Sequence, residues 1–156
     1  MSFRHATDYT NDNTLFVDLE VMMADLTVAS FEEMEPIFDG IARRARATLG
    51  VSAFGMQVMT LPANWDGYPN HRHNAGVDDA NQEEVYIPLN GSATLVADDQ
   101  QVQLQPGMMV RVGPDQHRRI LPGPNGVQFV ALGGVPGVFS PSAWTELGGP
   151  PPAPPA

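Results

Sequence analysis

Residues 82–91 read QEEVYIPLNG, from Gln82, Glu83 and Glu84 through Val85, Tyr86, Ile87, Pro88 and Leu89 to Asn90 and Gly91. β-Branched and aromatic residues followed by an Asn-Gly pair have the composition of a strand stopped by a turn. Side chains alternate along a strand, so Glu84 and Tyr86 share one face. On that face Tyr86 either lines a pocket as a proton donor or fills an interior as an apolar ring.

Working outward, the same rhythm of short apolar runs and turns extends from residue 51 to residue 132. Residues 51–61, 84–89, 92–97, 101–105, 108–112, 118–121 and 127–132 each read as a strand. The breaks are Asn90-Gly91, Asp98-Asp99, Pro106-Gly107, Gly113-Pro114-Asp115 and the Gly/Pro-rich residues 122–126, and Asp98-Asp99 reads as a hairpin tip. Strands at this spacing with no long helix between them predict an all-β sandwich or barrel of antiparallel hairpins. Several strands are apolar on both faces, so an outer face is expected to be covered, most simply by a homodimer. Met56, Met59, Met108 and Met109 are expected in the core, where methionine fills irregular space.

Before residue 51 the pattern is weaker. Residues 15–22 read as an edge strand or an extended arm. Ser30 and Glu33 have capping-box spacing, but Pro36 limits them to a turn. Residues 41–49 predict a short amphipathic helix with Arg43, Arg44 and Arg46 in water and Gly50 as its stop. After the strands, Trp144, like Trp65 before them, either rims the site or docks an arm, and the Pro-rich residues 148–156 predict a disordered or polyproline-like tail.

Two histidines lie just upstream of the opening strand. In an extended segment His71 and His73 project from one face, close enough to chelate one ion. Downstream, Pro106-Gly107 leads through a strand and the Gly113-Pro114-Asp115 turn to His117-Arg118.

Together these residues resemble the two motifs of the cupin superfamily. His71, His73, Glu84 and Gly91 match the first motif, with residues 85–90 between its glutamate and glycine. Pro106, Gly107, the strand at 108–112, the turn and His117 resemble the second. The resemblance implies a double-stranded β-helix, or jelly-roll barrel, over residues 51–134. An N-terminal arm and short helix (1–50), a C-terminal extension (135–147) and the tail (148–156) would flank it. It further implies one divalent transition metal, Fe, Mn, Ni, Co or Zn, held by His71, His73, Glu84 and His117, since imidazole and carboxylate suit those ions.

Residues 74–82 (NAGVDDANQ) form an acidic insertion between the motif's histidines and its glutamate, which a loop tolerates at small entropic cost. Counting from Gly107, the position of the family's last histidine falls at Arg118, one residue beyond His117, and a slip of one reverses the facing. Either His117 still reaches the metal, or Arg118 points inward. In the second case Arg118 pairs with Glu84 or clamps an anionic substrate group. Catalytic candidates are therefore Glu84, Tyr86 and Arg118, with Arg118 and Gln57 as substrate contacts. The implied function is Lewis-acid or non-haem-metal chemistry on a small oxygenated organic molecule, such as dioxygenation, isomerisation or cyclisation. The alternative is a metal-free cupin that binds a small molecule without catalysis over an Arg118/Glu84 polar floor.

Composition narrows the field further. The 156-residue chain carries 18 acids against 8 bases, a formal charge of -10, which disfavours nucleic acid and anionic membrane as partners. It contains no lysine, excluding Schiff-base and P-loop chemistry, and no cysteine, excluding disulfides and thiolate sites. With no signal-like N-terminus and no apolar run long enough to span a bilayer, a cytoplasmic protein is expected.

Overall fold

In the computed structural model, which describes residues 25–137, the expected strands are present, but two pairs of them are continuous. The elements are a 3-10 turn at Phe31–Glu33, β1 (Pro36–Ile37), β2 (Ala42–Arg43), α1 (Ala45–Leu49), β3 (Gly55–Leu61), β4 (Glu83–Ala97), β5 (Gln100–Leu104), β6 (Val110–Val112) and β7 (Arg119–Gly134). The expectations for residues 15–22, Trp144 and residues 148–156 lie outside the described residues.

Every pairing is antiparallel, in the order β1-β2-β3-β7-β4-β5, with β6 on β4. Asn90-Gly91 was expected to end a strand. Instead β4 runs through it with register shifts at Pro88/Asn90 and Gly91/Ala93, and β7 runs through residues 122–126 alongside. Bulges and bends of this kind let one strand serve two layers, the construction of a jelly-roll. The crossing requires glycine on both strands. Gly91 has φ +68°, and a Cβ there would overlap the Gly126 carbonyl; Gly126 has φ +72°, and its Cβ would lie 2.6 Å from the Leu61 carbonyl oxygen. The Asp98-Asp99 tip is as expected, since Ala97 pairs with Gln100 across it.

The interior holds Met59, Leu61, Tyr86, Leu95, Ile120 and Phe129, all buried. On the outer face of β3, Val58 is covered by Met34 and Ala45, with Phe31 and Leu49 packed beside them. The cover expected from a second chain is supplied there by this chain's own residues 31–49.

Two sequence expectations change. The helix predicted at 41–49 shortens to Ala45–Leu49, because Ala42 and Arg43 are taken into the sheet opposite Met59 and Val58. Arg43 is half-buried and donates to the Met34 carbonyl at 3.0 Å, whereas Arg44 and Arg46 are exposed as expected. Met109 is 72% exposed and Met108 39%, so neither belongs to the core: they lie ahead of β6, where no strand presses them inward. Among the described residues, no helix is long and apolar enough to cross a membrane.

Candidate metal centre

β4 begins at the open end of the barrel, and alternation turns Glu84 and Tyr86 inward, Tyr86 fully buried. The two motif histidines come from a short extended segment rather than a long strand. His71 forms a single bridge with Arg118, the two backbones exchanging N–H···O bonds of 3.1 and 2.9 Å. The His73 N–H donates to the Pro114 carbonyl at 2.9 Å, which ties the segment to the turn after β6.

The side chains converge as the motif implies. Glu84 Oε2 lies 3.2 Å from His73 Nε2 and 3.9 Å from His71 Nε2. One ligand atom from each of His71, His73 and Glu84 falls within 4.8 Å of the others. Ligand atoms that share an ion at about 2.0–2.2 Å sit roughly 3–4 Å apart, so the donor set fits a divalent transition metal. His71 Nδ1 lies 3.1 Å from the Pro69 carbonyl, which only accepts, so Nδ1 carries the proton and the Nε2 lone pair is left for an ion. His73 is 5% exposed, and neither ring nitrogen has an aligned hydrogen bond. A buried imidazole nitrogen facing a carboxylate without an aligned bond keeps its lone pair available, which fits a ligand role.

No family model and no curated protein matches the sequence. Solved structures do match. A cupin protein from Bacteroides fragilis superposes with TM-score 0.59 at 21% identity, over 80% of this chain and 96% of that one. A Cupin 2 conserved barrel domain protein from Salinispora arenicola gives 0.54 at 16% identity, over 72% and 90%. The chain has the cupin fold. A sugar phosphate isomerase of the cupin superfamily from Silicibacter pomeroyi gives TM-score 0.55 at 16% identity, over 68% of this chain and 74% of that one.

In this cupin barrel Arg118, not His117, takes the inward position. Arg118 is fully buried and shares its face with buried Ile120, which leaves His117 on the opposite side of the backbone and outside the ligand group. Arg118 Nη2 donates to Glu84 Oε2, Nε donates to the Tyr86 hydroxyl at 3.2 Å, and Nη1 donates to the Gln116 carbonyl at 3.2 Å. Through these three nitrogens Arg118 holds Glu84 Oε2 and the Tyr86 hydroxyl in place. The Tyr86 hydroxyl also donates to Glu84 Oε2 while its ring meets Phe129 edge-on, 5.6 Å between centroids. Tyr86 thus serves both the polar cluster and the core.

These contacts set the charge states. Burial pushes the Glu84 carboxyl up, but hydrogen bonds from Tyr86 and Arg118, with the guanidinium charge, outweigh it and hold Glu84 below its ordinary value. Burial is the main cause that lowers His71, favouring the neutral ring a metal needs. Tyr68, whose ring lies 5.7 Å from that of His71, is pushed up to about 12 by burial and then by the Glu84 charge, and stays a neutral phenol.

A cleft of about 600 Å³ opens beside the cluster, with Gln57, Gln82, Asp79, Arg44, Arg46 and Glu84 on its walls. Gln57, a predicted substrate contact, is on that wall and exposed. Asp79 was not singled out by the sequence, yet its Oδ2 lies 2.7 Å from His73 Nδ1. Its only sequence signal was its position in the acidic insertion between the ligands.

Proposed function

We propose that the protein binds one divalent transition metal, Fe, Mn, Ni, Co or Zn, through His71, His73 and Glu84 and acts on a small oxygenated organic molecule in the adjoining cleft. The observation that carries this reading is the convergence of two imidazole Nε2 atoms and one carboxylate oxygen within 4.8 Å. The ion would supply Lewis-acid polarisation or, as Fe(II), access to oxygen chemistry. Arg118 and Tyr86 hold Glu84 Oε2 and act through it, the Tyr86 hydroxyl keeping a proton at that oxygen. Gln57 contacts the substrate from the cleft wall. The sugar phosphate isomerase on the same fold illustrates chemistry the barrel can host, but at 16% identity its substrate is not carried over. The reading also includes a homodimer, supported by apolar side chains left in water such as Met109 and Leu89.

Metal analysis of protein purified without added metal tests the site. About one metal per chain is expected, and its loss from both His71→Ala and His73→Ala proteins. Full occupancy in both variants would refute the ligand assignment. A second reading, a metal-free binding protein, is favoured by the buried Arg118–Glu84 pair, which already neutralises the carboxylate. It predicts metal-free protein that binds a small carboxylate and loses it on Arg118→Ala substitution. For the dimer, light scattering behind a sizing column should return the mass of two chains.

A further inference from the structure

The insertion at residues 74–82 does more than join the histidines to β4. The Asn81 N–H donates to the His73 carbonyl at 2.5 Å, and within the loop the Ala80 N–H donates to the Val77 carbonyl at 3.1 Å. At its far end the Gln82 side chain lies over Gly133, where a Cβ would come within 2.6 Å of Gln82 Oε1. The loop is therefore hydrogen-bonded to the His73 carbonyl at one point and lies against β7 at another. Just ahead of both points, Asp79, with its side chain 49% exposed, brings Oδ2 to 2.7 Å from Nδ1 of the buried His73 ring.

We infer that Asp79 is the positioning residue of the metal site: it holds the His73 ring with Nδ1 toward the loop, so that Nε2 is presented to Glu84 and His71. This rests on the proposed metal reading. The contact is a close approach and not an aligned hydrogen bond, but a carboxylate oxygen 2.7 Å from Nδ1 favours the tautomer with its proton on that nitrogen, which leaves the Nε2 lone pair for the ion. The other imidazole is arranged the same way by different means, because His71 Nδ1 faces the Pro69 carbonyl. One histidine is oriented by rigid backbone. The other is oriented by a side chain on a loop that is also a wall of the cleft, so a ligand in the cleft meets the group that sets the ring.

The test is titration of metal-free protein with Co(II), followed by proton NMR of the loaded protein. Asp79→Ala should weaken Co(II) binding about 10- to 100-fold and remove the exchange-sheltered, hyperfine-shifted Nδ1–H resonance of His73. Asp79→Asn, which keeps an acceptor oxygen, should fall between that variant and the parent chain. The neighbouring exposed Asp78→Ala should match the parent, and thermal midpoints of the metal-free proteins should agree, which separates positioning from folding. If the parent binds Co(II), His73→Ala abolishes binding and Asp79→Ala binds as the parent does, the inference is overturned and the metal reading stands. If the parent itself binds no metal, both fall.

Discussion

The β4–β7 ladder has two arms that obey the same alternation and are filled in opposite ways. In the arm beyond the bulge, Leu95 sits opposite Ile120 and Ala93 opposite Pro122, and all four are buried. In the arm nearer the mouth, Glu84 sits opposite Gly133 and Tyr86 opposite Ala131. Apolar residues facing each other, with the large pair Leu95 and Ile120 among them, close the first arm. Small residues facing a carboxylate and a phenol leave the second with room for a cleft and for Arg118. The strand pattern places a side chain inside; the size and polarity of its opposite number decide whether that place is core or site.

The largest expected effect comes from breaking the charge balance of the polar arm. Arg118→Leu leaves Glu84 buried without its cation, and urea unfolding at neutral pH should show a loss of about 3–5 kcal/mol. Adding Glu84→Leu should recover much of that loss. A double variant as unstable as the single one would mean that the guanidinium stabilises through packing and not through the pair. In the apolar arm Leu95→Ala should cost about 3 kcal/mol while leaving metal content unchanged. A loss of metal there would join two arms that the comparison separates.

The joint between the arms responds to backbone geometry alone. Gly91→Ala, at φ +68° and against the Gly126 carbonyl, should cost about 2 kcal/mol, and Ala substitution at exposed Gly76, which has open space around it, should cost less. The smallest effect is that of pH on metal-free protein. His71 and Glu84 are both held below their ordinary values of 6.5 and 4.5, so the stability each contributes is present above that value and is lost as pH falls through the lower folded value. Urea midpoints should therefore decline first below about pH 6.5 and further below about pH 4.5, and Glu84→Gln should flatten the second decline. An unchanged slope in that variant would remove Glu84 from the acid response.

Much of this was legible in one dimension. Period-two patterning placed Glu84 beside Tyr86 and Arg118 beside Ile120, and the resemblance to the cupin motifs named His71, His73 and Glu84 as a cluster. The turn residues were read correctly at Asp98-Asp99 and wrongly at Asn90-Gly91 and at residues 122–126. The chemistry that makes glycine favourable in a turn also makes it favourable in a bulge where two backbones touch. Which one forms depends on a neighbouring strand far away in sequence. Met108 and Met109 were misplaced because hydrophobicity gives a tendency to be buried but does not say whether a neighbour is available to bury the side chain.

The sequence by itself determined the strand content, the inward carboxylate, the imidazole and oxygen chemistry to which a chain without cysteine or lysine is confined, and the two residues competing for the inward position. Tertiary structure decided that competition for Arg118, because the His71 bridge fixes the register of that backbone and a register error of one residue exchanges interior for exterior. It also brought Asp79 to His73, a contact between a loop tip and a buried ring. No repeat or spacing encodes such a contact, because it depends on where a folded loop comes back to the barrel.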